Sequence, residues 1–143
     1  MQSRWLLLLV LLLAPVAQIW AADDFKPSEV AIKDALHKVI DSQLAAFRRD
    51  DYAGAYIFAD RAIKDQVSLE GFEQMVRKGY PAIAHSTSVK FGLAFDNGDE
   101  ASINVRVFSA NAAPVDYRYT LRRDGNEWRI TSVTLLKDQT TEV

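Results

Sequence analysis

Two periods divide the chain. Ile32, Leu36, Val39, Ile40, Leu44 and Phe47 recur three and four residues apart, on a helical stripe about 140° wide. The spacing predicts one helix over about residues 28–50. Pro27-Ser28 is its start signal, with Ser28 able to cap it and Glu29 favourable in the first turn; Arg48 and Arg49 suit its end. Asp50 or Asp51 can cap the next segment, Tyr52 to Asp60, which is short and weakened by Gly54. Ser68 caps a third helix with Phe72, Met75 and Val76 on one face. Gly79 is expected to end it in the left-handed conformation, and Pro81 to confirm the stop.

Beyond residue 86 the period becomes two. Val89, Phe91, Leu93 and Phe95 alternate strictly, and Asp96-Asn97-Gly98-Asp99 follows as a hairpin signal. Ile103, Val105 and Val107 mark the second strand. Val115, Tyr117, Tyr119 and Leu121 mark the third, and Trp128 and Ile130 lead the fourth. Val133 and Leu135 fall on the opposite parity, which implies a bulge or burial on both faces. Helices followed by strands and short turns predict an α+β domain, with about three N-terminal helices on one face of a four-stranded antiparallel meander. The other face carries Lys90, Asn104, Arg106, Asp116, Arg118, Thr120, Arg122 and Arg129, as a solvated face does.

Residues 1–21 stand apart from this pattern. Arg4 precedes the apolar run Trp5–Ala14, Pro15 breaks it, and Ile19-Trp20-Ala21 offers a cut after Ala21. This is the layout of a secretory signal peptide. The alternative, a retained anchor, has 18 residues interrupted by Pro15 and Gln18 where about 20 are wanted; membrane contact is expected only through such an uncleaved segment. Residues 22–143 are then one domain. Removing Arg4 leaves 16 of 17 basic residues against 19 acidic ones, a net charge of −3. That balance excludes a non-specific nucleic-acid binder. No cysteine is present, so thiolate metal sites, cysteine nucleophiles and disulfides are excluded.

Several stretches carry a family resemblance. They are Gln43-Leu44-Ala45-Ala46-Phe47-Arg48-Arg49-Asp50-Asp51, Ala55-Tyr56, Phe58-Ala59, Phe72 with Met75-Val76-Arg77-Lys78-Gly79-Tyr80-Pro81, and Trp128-Arg129-Ile130 after Asp124-Gly125. Together they resemble a bacterial family of exported proteins catalogued as a domain of unknown function, over roughly residues 30–136. That family is similar to the nuclear-transport-factor-2-like (cystatin-like, ketosteroid-isomerase-like) superfamily. The resemblance implies a cone-like fold in which the helices pack on a curved sheet, with a pocket between them, and a periplasmic location. It implies no catalytic residues, because one fold serves many functions.

The motifs offer little chemistry. Catalytic serine, zinc-protease, phosphate-loop and calcium-loop patterns are absent, and no cofactor or metal is expected. His37 lies on the flank of the first helix stripe, and His85 follows Pro81 in a loop. Turn chemistry accounts for Asp96, Asp99 and Glu100. Tyr56, Tyr80, Tyr117, Tyr119 and Trp128 are the pocket candidates, with Asp60 and His85 as the groups nearest to acid–base use. They either fill the core or line a site for a small hydrophobic or aromatic molecule. The primary expectation is a non-catalytic binding module. Its rivals are a cofactor-free isomerase, dehydratase or hydrolase in the same cone, and a protein-interaction domain. The interaction surface would be the outer face bearing Lys90, Arg106, Arg118, Arg122 and Arg129, which a homodimer could also use.

Overall fold

A computed structural model describes residues 24–137. The expected signal segment, with its cut after Ala21, lies outside the described residues. Helices α1 (Val30–Arg48), α2 (Tyr52–Tyr56), α3 (Arg61–Gln66), α4 (Leu69–Gly79) and α5 (Pro81–Ala84) come after a two-residue strand, β1 (Lys26–Pro27). Strands β2 (Ser86–Asp96), β3 (Glu100–Ser109), β4 (Val115–Asp124) and β5 (Glu127–Leu135) complete an antiparallel sheet in the order β1-β2-β3-β4-β5.

The α+β class and the meander are as expected, but there are five strands and not four. Lys26 and Pro27 pair with Asp96 and Phe95 at the sheet edge, a contact with no local periodicity. The helices number five among the described residues. The additional α3 is capped by the Asp60 carboxylate, which accepts from Ala62 N, and it has no buried residue. Its surface position removes the amphipathic signal that sequence reading depends on.

Local capping accounts for most boundaries. Asp51 accepts from Gly54 N at 2.8 Å, and Ser68 accepts from Gly71 N at 3.1 Å. Ser28 does not cap α1. Glu29 stands at that position, while the Ser28 hydroxyl donates to the Asp96 carboxylate and its N–H to Ala94 O. Gly79 is the last residue of α4 and has no positive φ. Tyr80 ends the helix, and Pro81 opens α5 at a position where its missing N–H costs nothing.

Of three register shifts among the described residues, the two beyond the Ser86/Ser88 one set the faces of the sheet. Phe91 pairs with Val105 and Ala94 with Ile103, so Gly92 and Leu93 together oppose Asn104. A side chain at residue 92 would put its Cβ 3.2 Å from Asn104 O, which is why glycine fits there. The strict alternation expected through Phe95 is therefore broken. Ala94 turns inward, and Leu93 (75% exposed) and Phe95 turn outward beside Phe25. The second bulge is the one expected from the parity change: Thr120 pairs with Ser132 and Leu121 with Ile130, leaving Thr131 as the extra residue. Val133 is thereby opposite Tyr119.

The core joins Leu36, Ile40, Leu44 and Phe47 of α1 to Ala101, Ile103, Val105 and Val107 of β3 and to Tyr117, Tyr119 and Leu121 of β4. Each Leu, Ile, Val or Phe side chain among them contributes about 1.5–3 kcal/mol when fully buried. The far edge of β5 is closed by the Phe58–Asp60 segment. Ile130 N donates to Phe58 O and Asp60 N to Ile130 O, both at 2.8 Å. No helix among the described residues is long and apolar enough to cross a membrane.

Candidate functional site

α1, α4 and the segment around α3 leave a cavity against β4 and β5, with a volume of about 240 Å³. Phe47, Ala59, Ile63, Val67, Phe72, Met75, Val76, Ile83, Ile130 and Val133 make its lining mostly apolar. Gln43, Gln66, Thr131 and Ser132 are polar but uncharged, and Tyr80 and Tyr119 complete the wall. The β5 bulge builds one side of it. By shifting register after Ile130, it brings Thr131, Ser132 and Val133 to the same wall.

Of the sequence candidates, Tyr80 and Tyr119 line this cavity. Tyr80 donates its hydroxyl to Val133 O at 2.9 Å, tying the end of α4 to β5. Tyr119 is fully buried, and its hydroxyl has no hydrogen-bond partner among the described residues. Burial pushes its pKa well up, with smaller contributions from Tyr117 and Tyr80. Tyr117, buried with its ring centroid 6.0 Å from that of Tyr80, is raised too, chiefly by burial and then by Tyr80.

The other candidates lie elsewhere. Tyr56 donates its hydroxyl to Lys64 O and Val67 O, holding α3 and the residue after it over the helices. Trp128 is buried beneath the Arg123 guanidinium, 4.6 Å from its ring centroid. Asp60 caps α3 and lies 3.6 Å from Arg122. His85 is exposed at the end of α5. His37 stacks on Phe91 with ring centroids 4.0 Å apart. Among the described residues, no three His, Asp or Glu side chains are grouped to hold a metal ion.

Sequence reading missed Gln43 as a site residue. It is buried on the α1 stripe and donates to Ala55 O at 3.2 Å; its signal was a polar residue in an apolar stripe. Ile63, Gln66 and Val67 were missed together with α3.

The outer face is a network of paired charges. Arg106 grips Asp116 with two hydrogen bonds of 2.8 and 2.9 Å, which hold the Asp116 carboxyl below its usual range. Arg118 donates to Asn104 Oδ1 at 3.3 Å. Arg122 reaches Asp60, and Arg129 reaches Glu127 and Asp124. Lys90 is exposed on the same face, opposite Arg106.

Fold and cavity together define an α+β domain with an uncharged apolar cavity between its helices and its antiparallel sheet. The family described as a domain of unknown function, DUF4864, matches residues 30–143, and the chain belongs to that family. No curated protein and no solved structure matches the chain.

Proposed function

We propose that the chain is an exported, non-catalytic module that binds a small apolar molecule between helices and sheet. The observation that carries this reading is the cavity itself, about 240 Å³ with no charged side chain in its wall. Small-molecule sites are concave and mostly apolar, with a few convergent polar groups. An acid–base enzyme needs a proton-transfer group within hydrogen-bond reach of its substrate. Asp60 and His85, the groups considered for that role, do not line the cavity. Helices ahead of an antiparallel sheet, with a cavity between, also agree with a cone of the nuclear-transport-factor-2-like kind, and we read the fold so. Export rests on the charged, apolar and small-residue order of residues 1–21, and the periplasm on the family resemblance alone.

Native mass spectrometry of the protein recovered from its exported fraction, compared with its denatured mass, tests both parts. The expected result is a chain beginning at Ala22 and carrying extra mass that denaturation releases. A bare chain contradicts ligand retention, and a chain still beginning at Met1 contradicts cleavage. A second reading, a homodimer through the outer sheet face, is favoured by the outward Leu93 and Phe95 next to Phe25. Twice the protomer mass in the same spectrum would support it.

A further inference from the structure

β2 is the outermost long strand of the sheet, and its outer edge is largely open. β1 covers its end alone, with Lys26 opposite Asp96 and Pro27 opposite Phe95. Two further ties reach that edge. Ser28 N donates to Ala94 O at 2.9 Å, and Arg48 Nε donates to Ser86 O at 3.0 Å. Between them, no strand among the described residues pairs with residues 87–93 on that side. The opposite edge of the sheet differs, because the Phe58–Asp60 segment bonds to Ile130 of β5. An open edge presents a row of N–H and C=O groups to a further strand. The register shifts at Ser86/Ser88 and Phe91/Ala94 bound the regular part of this row to Ser88–Phe91. Within it, Val89 and Phe91 are half-buried against the core, and Phe91 stacks on His37 of α1. Lys90 is exposed on the outer face, and its cross-strand neighbour Arg106 is already bound to Asp116. The edge shares no residue with the cavity.

We infer that this edge takes up an extended peptide as an added strand, with an acidic side chain beside Lys90 and apolar ones beside Val89 and Phe91. Alternation dictates the pattern. Successive side chains of the added strand face opposite sides of the sheet, so an acid on the outer face is flanked by two residues on the helix side. There they cover the parts of Val89 and Phe91 that the core leaves open. In strand addition of this kind the main-chain bonds supply affinity, and the alternate side chains supply specificity. Opposite charges directly across two strands are favourable, and like charges are not. A second copy pairing through the same edge would bring its own Lys90 into the same four-residue run. The charge therefore selects an acidic peptide over self-pairing, as a lysine on an edge strand commonly does.

The probes are the peptide acetyl-Thr-Thr-Val-Glu-Val-Thr-Thr-amide and its counterpart with Lys in place of Glu. Each is titrated by NMR into the isotopically labelled protein and into Lys90→Glu at low salt, where exposed charges are least screened. In the wild type the Glu peptide is expected to bind about fivefold tighter than the Lys peptide, as a cross-strand charge pair gives. It should also slow amide hydrogen exchange within residues 88–91. Lys90→Glu, a change at an exposed position, should reverse the preference between the two peptides. The exchange measurement on the wild type does not depend on the variant. Equal affinities for the two peptides would overturn the assigned partner chemistry. Binding that leaves exchange at residues 88–91 unchanged would overturn strand addition, and so would no binding at millimolar peptide. Exchange at those residues that slows with rising protein concentration, without peptide, would overturn the peptide as occupant and assign the edge to a second copy.

Discussion

Ala59→Leu decides by its sign whether the space between helices and sheet is open. Ala59 is buried, lines the cavity and forms the bridge to Ile130. The substitution adds three carbons to a space of about 240 Å³, where a cavity of about 150 Å³ already takes the six carbons of benzene. At about 0.8 kcal/mol per buried methylene, the transfer contributes roughly 2.4 kcal/mol. Fixing the leucine rotamer takes back about 0.5–1 kcal/mol. The variant should therefore be more stable by roughly 1.5–2 kcal/mol, and with a denaturant slope of about 2 kcal/mol/M its urea midpoint should rise by roughly 0.8–1 M. Trp128, buried in the core, reports the transition by its fluorescence. Affinity for tetralin, an apolar probe of the cavity, should fall at least tenfold in parallel, because the new side chain occupies the site. A core already filled in solution gives the opposite sign, since overpacking costs about 1–3 kcal/mol. A lowered midpoint would refute the cavity.

Other consequences follow from the same contacts. Gly92→Val should cost about 1–3 kcal/mol in urea unfolding, because its Cβ would press on Asn104 O and on Asn104 Cβ, 3.3 Å away. The raised pKa of buried Tyr119 means that its contribution to stability is complete below the ordinary tyrosine value of 10.0 and is lost as pH rises beyond it. Urea midpoints measured from pH 8 to 11 should fall at the alkaline end, and less steeply in Tyr119→Phe. Tyr56→Phe should cost about 1 kcal/mol and speed amide hydrogen exchange across residues 61–67, because it removes the tie to Lys64 O and Val67 O. Arg106→Glu with Arg118→Glu should leave the mass in solution unchanged if the outer face is simply wet, and should halve it if that face joins two copies.

Where neighbours in sequence decide the structure, the sequence was readable. The α1 stripe, the Asp51 and Ser68 caps and the alternation of β3 and β4 all depend on residues a few positions apart. The parity change after Ile130 is the local trace of the Thr131 bulge, and so of one cavity wall. Gly92 gave no comparable sign, because Val89, Phe91, Leu93 and Phe95 keep perfect alternation in sequence. Ala94, small enough to fit inside, takes the inward place in the structure. β1 and α3 were hidden for a related reason. Two residues set no period, and a helix of six residues with no fully buried side chain shows no stripe. Aromatic content drew attention to five rings, of which Tyr80 and Tyr119 reach the cavity. The others depend on distant partners: Val67 O for Tyr56, the Tyr80 ring for Tyr117 and the Arg123 guanidinium for Trp128.

The most direct test of the binding site is a methyl NMR titration of the isotopically labelled protein with tetralin. Shift changes are expected at the methyl groups of Ile63, Met75, Ile83 and Ile130, which line the cavity, and not at the outward Leu93. Unmoved cavity methyls, or changes centred on Leu93, would contradict a ligand site between the helices and the sheet.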